Sequence, residues 1–265
     1  MTAYLSTVSG LPSQGGCANC GVSELCLSVG MSFADTDRLS AIIPRPLKLK
    51  KGAALYRTGD PFASLYAVRI GCFKTSISSP DGRSQLTGFQ MSGELLGCDA
   101  ISTNRHVCDA IALEDSEVCS IHFNQLEQLS RQLPSLHHNL NRALSQEIVR
   151  DHEMLLTLGN LNAEERLAAF LLDLSGRMAN RGYSPTKFLL RMTREDIGSY
   201  LGLRLETICR AITRLRHQSI VKISGRVVEI LDPLQLHAMI HGGREGSLSV
   251  RQGDLPTRLA FSQRL

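Results

Sequence analysis

The hydrophobic period of the chain changes from strand-like to helical near residue 134, and this change restricts the architectures that the chain can adopt. Residues 45 to about 125 contain short strand-like runs with frequent glycines, of which SLYAVRIGCFKTSIS (64–78) is the clearest. The turn signal PDG (80–82) follows this run, and RSQLTGFQ returns after the turn. Many short strands separated by glycines predict an antiparallel β-roll or jelly roll for residues 29–133, within an α+β fold.

A helical pattern follows the strands and starts at Pro134 with PSLHHNLNRALSQEIVRDHEMLLTL. Its apolar positions recur at spacings of three and four, as in a helix that pairs with another helix. These spacings predict a dimerisation helix over residues 134–160 and a homodimer. A helix packed on its own domain would explain the spacing equally well. The predicted dimer seam comprises Leu140, Leu144, Ile148, Asp151, Leu155 and Leu158.

Asp151 places an acidic side chain inside this otherwise apolar seam. An acid at such a position weakens helix pairing, and in a symmetric dimer it lies close to its own copy. The pattern therefore indicates a dimer that is weak enough for another event to control, unless the carboxylate points to water at the edge of the seam.

Residues 161–235 have the pattern of a winged helix-turn-helix. Thr193 and Asp196 form a capping pair for a first helix that ends at Gly202, and a second helix begins near Arg204. The sequence SIVKISGRVVEI then supplies two short strands around a glycine, which is typical of a wing. Between residues 161 and 232 there are 12 Lys and Arg against 8 Asp and Glu, a weak indication of nucleic acid binding.

The second helix of this pair divides into an apolar face and a polar face. We expect the apolar face to pack inward, through Leu205, Ile208, Ile212 and Leu215. Arginine pairs bidentately with guanine, and glutamate accepts from cytosine, so the polar face predicts base readout by Glu206, Cys209 and Arg210. The candidate phosphate contacts are Arg194, Arg204, Thr213, Arg214 and Arg216. These features favour a double-stranded DNA partner over a purely structural or protein-binding helix pair.

Three cysteines lie close together in an N-terminal arm, residues 1–28, in the sequence CANCGVSELC. The arm lacks the charged start and apolar core of a signal peptide, and no apolar run approaches the ~18 residues of a membrane span. We therefore expect a cytoplasmic protein without a membrane partner, in which thiols stay reduced. Eight cysteines in that setting indicate metal binding, reactivity or burial. A cysteine–histidine catalytic signature is missing, so an enzyme is not expected.

With these motifs the chain resembles the cAMP receptor/fumarate-nitrate reduction regulator superfamily of transcription factors, and most closely its oxygen-sensing branch. The likeness runs from about Cys17 to Leu231. Its most specific stretches are CANCGVSELC, SLYAVRIGCFK, NAEERLAAFLLDLSGR, FLLRMTREDIGSYLGL and ETICR. The resemblance implies a cysteine arm, a β-roll sensor domain, a long dimerisation helix and a C-terminal winged helix.

Members of that branch hold a [4Fe–4S] cluster with three cysteines from the arm and one from the sensor domain. The resemblance assigns these roles to Cys17, Cys20 and Cys26, which keep the C-x2-C-x5-C spacing, and to Cys119 in DSEVCSI. Four thiolates are what such a cluster needs. Zinc is the chemical alternative, although its paired cysteines usually lie two to four residues apart. Cys108 is the main rival for the fourth ligand.

The resemblance also implies how such a protein works. At low oxygen the cluster promotes dimerisation and binding to a palindromic site with a TTGA-like half-site, and oxygen disassembles the cluster. The alternative is a zinc-stabilised, permanently dimeric DNA-binding regulator of the same superfamily. RNA polymerase is a further implied partner, and the candidate contact is the turn that contains Asp81, Gly82 and Arg83.

Three stretches depart from the family pattern or lie beyond it. Cys209 stands where the motif E-x-x-S-R has serine, and a thiol is a weak donor and acceptor, so the base contact is expected to change. Cyclic-nucleotide-binding relatives carry an Arg-Ser or Arg-Thr pair, whereas Arg105 precedes His106 here. A cyclic phosphate would lack its partner charge, so we expect no cAMP binding.

Residues 236–265 are polar and Gly-rich, which predicts a flexible tail.

Overall fold

The computed structural model describes residues 16–79 and 81–241, and it confirms the α+β architecture. An eight-stranded antiparallel β-roll forms the N-terminal domain, and its two sheets have the orders β1-β8-β3-β6 and β2-β7-β4-β5. A core that contains Val68, Phe73 and Val118 lies between the sheets. The strands are β1 (Leu47–Leu49), β2 (Ala54–Tyr56), β3 (Ser64–Ile70), β4 (Cys72–Ser78), β5 (Ser84–Met91), β6 (Leu95–Leu96), β7 (Asp109–Ala112) and β8 (Ser116–His122).

The run at 64–78, which the sequence presents as one strand, is two strands in different sheets. Gly71 separates them with a φ of 103°, a conformation that side chains with a Cβ rarely adopt. A Cβ at this position would also lie 2.1 Å from Ser116 Oγ. The chain can therefore cross from the first sheet to the second only because residue 71 is a glycine.

Three helices cover the outer face of the first sheet: α1 (Phe33–Ala41), α2 (Phe123–Ser130) and α3 (Pro134–Asn160). Proline at the first position of α3 suits a helix start, because no intrahelical partner is lost there. The side chains of Leu39, Ile121 and Leu136 are almost completely buried between this sheet and the helices. Among the described residues, no helix has the length and apolar character needed to cross a membrane.

The C-terminal domain has the predicted winged helix-turn-helix. The capping box between Thr193 and Asp196 is present, and Gly202 ends the first helix with a φ of 64°. Its small sheet has the order β10-β11-β9 and gains a strand that sequence reasoning missed. The elements are α4 (Ala163–Asn180), β9 (Lys187–Leu189), α5 (Arg194–Leu201), α6 (Leu205–His217), β10 (Val221–Ser224), β11 (Val227–Ile230) and α7 (Pro233–His241).

Two expectations for this domain were wrong. Leu205 does not pack inward, because it is the first residue of α6 and stays 44% exposed, while Ala211 fills the core beside Ile208. The tail does not begin at residue 236, because α7 continues to His241 and Leu236 is completely buried. The rest of the predicted tail, 242–265, lies outside the described residues.

Candidate functional site

The four predicted ligands Cys17, Cys20, Cys26 and Cys119 border one small cavity between the arm and the first sheet. Two short 3-10 helices, Cys17–Asn19 and Ser23–Leu25, fold the arm so that its three thiols face this cavity. The fourth thiol arrives from β8, which lies about a hundred residues further along the chain. The fold thus brings together two distant cysteine segments.

Strand alternation explains why Cys119 faces the arm and Cys108 does not. In β8 the side chain of Val118 packs between the two sheets, so Cys119 and Ile121 point to the opposite face, where the arm lies. Cys108 lies in the core between the sheets, beside Tyr56. The structure therefore groups Cys119, and not Cys108, with the arm cysteines.

The environment of these thiols favours their protonated form. Burial, with a smaller contribution from the other thiols at the cavity, raises the pKa of Cys26 to about 12 and that of Cys119 to about 11. The Arg69 guanidinium acts in the opposite direction on Cys119. All eight cysteines are free thiols. Binding of a metal centre would therefore have to release protons from these groups.

A set of cysteine donors suits two kinds of metal centre, a single zinc ion and a [4Fe–4S] cluster. Within residues 16–79 and 81–241, no three Cys, His, Asp or Glu side chains meet at a position for one metal ion. Zinc holds every thiolate about 2.3 Å from a single point, whereas a [4Fe–4S] cluster is a larger body with four cysteine ligands. Four thiols that border one cavity supply the type and number of donors that such a cluster needs.

Three contacts hold the arm in place independently of its thiols. Ser40 Oγ of α1 accepts a hydrogen bond from the Cys17 N–H at 2.8 Å. Asn139 of α3 donates hydrogen bonds to backbone carbonyls directly after Cys26. Leu25 lies against Gly93, where an added Cβ would come within 2.5 Å of the Leu25 Cβ. The arm is thus in contact with both α3 and the turn after β5.

Helix α3 carries an exposed apolar stripe at the predicted seam. Ile148 is 56% exposed and Leu155 is 67% exposed, which is unusual for large apolar side chains. Val149 and Leu156 are exposed beside them and widen the apolar surface beyond the predicted seam. The other apolar members of the seam are half-buried, namely Leu140, Leu144 and Leu158.

Asp151 lies exposed in the middle of this stripe. Desolvation by neighbouring side chains and the nearby charge of Glu147 raise the pKa of the Asp151 carboxyl. A second helix packed on the stripe would desolvate Asp151 further, which would disfavour its charged form. The geometry is therefore that of an apolar surface interrupted by one charge.

The polar face of α6 is open to solvent at the positions predicted for DNA readout. Glu206 and Arg210 are exposed, and Cys209 is half-buried between them and the core. Arg194 reaches from α5 to place Nη1 3.9 Å from Cys209 Sγ. The hydroxyl of Thr213 donates to the Cys209 carbonyl at 2.9 Å, so it is partly engaged within the helix.

Among the predicted phosphate contacts, Arg204, Thr213, Arg214 and Arg216 are exposed around the same face, together with Arg194. Arg214 is paired with Glu164 at the start of α4. Contact with a DNA phosphate would require the Arg214 guanidinium to leave the Glu164 carboxylate. The remaining arginines form a basic rim around the base-reading positions.

The helix-turn-helix packs on the outer face of the second sheet, a contact that sequence reasoning missed. Phe89 of β5 lies with its ring centroid 5.1 Å from that of Tyr200 on α5 and 6.0 Å from that of Phe170 on α4. Lys74 of β4 donates to Asp196 Oδ1 at 2.6 Å, at the first turn of α5. The sensor sheet is thus in direct contact with both α4 and α5.

Glu94 is the centre of a buried ionic network in this contact. Its carboxylate accepts from Arg177 Nη2 of α4 at 2.8 Å and from Nη2 of Arg181, directly after α4, at 2.6 Å, while Arg150 Nη1 of α3 lies 4.0 Å away. Burial opposes ionisation of Glu94, but the three guanidiniums outweigh it and lower its pKa to about 2. The network joins the β-roll, α3 and α4 at one carboxylate.

Comparisons with known proteins agree with this architecture. A Crp-like helix-turn-helix domain matches residues 165–239, and a cyclic nucleotide-binding domain matches residues 46–132. The transcriptional activator protein Anr of Pseudomonas protegens is 43% identical over 234 residues, which cover 88% of this chain and 96% of that protein. The fumarate and nitrate reduction regulatory protein of Yersinia pestis is 44% identical over 214 residues, 81% of this chain and 86% of its own.

The chain belongs to the fumarate and nitrate reduction regulator family. Among solved structures, that of FixK2 from Bradyrhizobium japonicum matches 75% of this chain and 97% of its own, with a TM-score of 0.68 and 29% identity. Members of this family are transcription regulators, so the chain is a DNA-binding regulator and not an enzyme. The helix-turn-helix built by α5 and α6 is its DNA-binding element.

In this family member the matched nucleotide-binding domain is packed with its own side chains. His106 stacks on Tyr56 with ring centroids 3.7 Å apart, and its Nδ1 lies 3.4 Å from Asp99 Oδ1. Asp99 also accepts from the Val107 N–H at 2.8 Å. Glu94, in the same matched domain, is engaged by Arg150 of α3, Arg177 of α4 and Arg181 directly after α4.

Proposed function

We propose that this regulator responds to oxygen through a [4Fe–4S] cluster bound by Cys17, Cys20, Cys26 and Cys119. The observation that carries the proposal is the shared cavity, because four thiols from two distant segments border it. The names of relatives support it, since two are a fumarate and nitrate reduction regulator and an anaerobic regulatory protein. When bound, the cluster supplies oxygen-labile chemistry that free thiols do not have.

The residues of the chain suggest how this signal reaches the dimer. Four tied thiolates join the arm to β8, whereas free thiols leave the arm held only by its contacts with Ser40, Asn139 and Gly93. The arm packs against the first turns of α3, so its order influences the helix that carries the exposed apolar stripe. A change of a few kcal/mol in such an equilibrium is sufficient to move most of the population between two states.

Pairing of two α3 helices would place two copies of α6 on one side of a dimer. A two-fold dimer matches a palindromic site with half-sites about one helical turn apart. The family resemblance suggests a TTGA-like half-site, read by Glu206 and Arg210, with a weakened contact at Cys209. Cyclic AMP is not part of the proposal, because Glu94 and His106 are committed to other contacts.

A contact with RNA polymerase through Asp81, Gly82 and Arg83 remains part of the proposal. The turn is exposed, which supports it. Hydrogen bonds from Arg83 and Ser79 lower the pKa of Asp81 to about 2, so the charges of the turn are already engaged with one another. A partner that binds this turn would have to compete with the internal pairing of Asp81 and Arg83.

The decisive experiment is anaerobic purification followed by exposure to air. We expect a brown protein with about four irons per chain, a dimer before exposure, and bleaching with loss of the dimer afterwards. A colourless protein with one zinc per chain that stays dimeric in air would instead establish the zinc-stabilised regulator.

Asp151→Ala should strengthen dimerisation of the cluster-free protein. Removal of the charge leaves a continuous apolar stripe, so we expect the dimer dissociation constant to fall roughly tenfold or more, about 1.4 kcal/mol. Sedimentation equilibrium of the aerobic protein measures this constant. Glu153→Ala removes an acid from the same helix outside the seam and should have little effect. An aerobic Asp151→Ala protein as monomeric as the parent would refute the role of Asp151.

Arg210→Ala should weaken specific DNA binding by about 1–3 kcal/mol, because a bidentate base contact is lost. Binding to unrelated DNA should change little. Arg216→Ala provides the comparison, since loss of a phosphate contact weakens binding to all sequences and reduces its salt dependence. Fluorescence anisotropy with a palindromic and a scrambled duplex measures both. Equal losses on the two duplexes for Arg210→Ala would show that Arg210 contacts only phosphate.

A further inference from the structure

We propose that Asn139 is the positioning residue that couples the cysteine arm to helix α3. The inference rests on the proposed function, because it concerns how the state of the arm reaches the dimer seam. Its basis is a pair of hydrogen bonds that the sequence did not reveal and that neither family model covers, since residue 139 lies between the two matched ranges.

Both amide hydrogens of Asn139 are used to hold the arm. Nδ2 donates to the Leu27 carbonyl at 2.9 Å and to the Val29 carbonyl at 2.8 Å, distances typical of good hydrogen bonds. The side chain is buried, with 6% of its surface exposed. A buried amide that spends both donors on one loop is costly to detach, because each separated polar group would be left without a partner.

The loop that Asn139 holds begins at a predicted cluster ligand. The Val29 N–H donates to the Cys26 carbonyl at 3.2 Å, so residues 26–29 form a turn whose second and fourth carbonyls are the acceptors. Leu27 is 2% exposed and packs in the same apolar cluster as Cys26, Cys119 and Leu136. Movement of the Cys26 thiol therefore changes the position of the turn to which Asn139 donates its hydrogen bonds.

On the other side, Asn139 lies next to the start of the dimer seam. Leu140 follows it directly and is partly buried against the apolar cluster that contains Cys17, Cys26 and Cys119. Helix α3 continues without interruption to Asn160, so its rotation or order near Asn139 is carried to Ile148 and Leu155. Asn139 thus connects the ligand turn and the exposed stripe within one rigid element.

The test compares Asn139→Leu and Asn139→Asp with Asn141→Asp in the full-length protein purified without oxygen. Leucine has nearly the shape of asparagine and lacks the donors, and aspartate directs a charge at two carbonyl oxygens. Asn141→Asp makes the same charge change on an exposed residue of the same helix. Iron and sulfide content with the absorption spectrum report the cluster, and sedimentation equilibrium reports the dimer.

We expect both Asn139 variants to keep the cluster spectrum and iron content of the parent and to raise the dimer dissociation constant at least tenfold. Asn141→Asp should stay within twofold of the parent. Parent-like dimerisation of Asn139→Leu would overturn the inference. Joint loss of cluster and dimer in Asn139→Leu would also overturn it, because Asn139 would then only support the arm. A parent that binds no iron overturns the proposed function and the inference together, and this outcome is recognised before any variant is compared.

Discussion

Cys119→Ala should abolish cluster binding, and Cys108→Ala should leave it intact. The two cysteines lie eleven positions apart, but Cys108, directly before β7, lies in the core between the two sheets, whereas Cys119 of β8 points to the outer face of the first sheet. Only Cys119 borders the cavity of the arm thiols. We expect the iron content of the Cys119→Ala protein to fall to near background after anaerobic purification, with a monomer as the remaining species.

The paired design separates ligation from packing. Each substitution removes one sulfur atom from the protein. Cys119 is half-buried and Cys108 is buried. A loss of iron caused by general destabilisation would therefore affect Cys108→Ala at least as strongly. Full iron content in Cys119→Ala would exclude Cys119 as a ligand, and loss only in Cys108→Ala would transfer the role to Cys108.

The elements that the sequence predicts well are those fixed by local chemistry. The capping box of Thr193 and Asp196 sets the start of α5, and Gly202 sets its end, because both depend on neighbouring residues only. The span of α3 follows from side-chain spacing within one helix. The run at 64–78 was misread since Gly71 and its close contact with Ser116 are visible only in three dimensions.

The candidate site is predictable in part for the same reason. The spacing of Cys17, Cys20 and Cys26 is local, whereas Cys119 required a family resemblance, and its orientation follows from strand alternation once β8 is known. Asn139 and Glu94 could not be found, because their partners are distant in sequence. The two hydrogen-bond acceptors of Asn139 lie 110 and 112 positions earlier in the chain. The arginines that pair with Glu94 lie 83 and 87 positions later. Nothing near either residue in the chain indicates such partners.

Glu94→Gln should destabilise the protein by about 3–5 kcal/mol, because it leaves buried arginines without their counter-charge. Glutamine keeps the shape of the side chain, so the loss reports charge rather than volume. The side chains of Arg177 and Arg181 are 13% and 8% exposed and cannot recover full hydration. Since Glu94 joins the β-roll to α4, we also expect the two domains to unfold in separate steps during urea denaturation. Asp37→Asn is the control, since it neutralises an exposed acid of α1 and should cause no measurable change.

The pH dependence of this difference identifies its electrostatic origin. The pKa of Glu94 lies at about 2 in the folded protein, below its ordinary value of 4.5. A group whose pKa is lowered by folding stabilises the protein fully above its unfolded pKa and loses that contribution as pH falls toward the folded one. The stability gap between parent and Glu94→Gln should therefore be constant near neutral pH and narrow below about pH 4.5. A gap that stays the same from pH 7 to pH 3 would mean that the substitution acts through packing or hydrogen-bond geometry and that the carboxylate charge does not hold the two domains together.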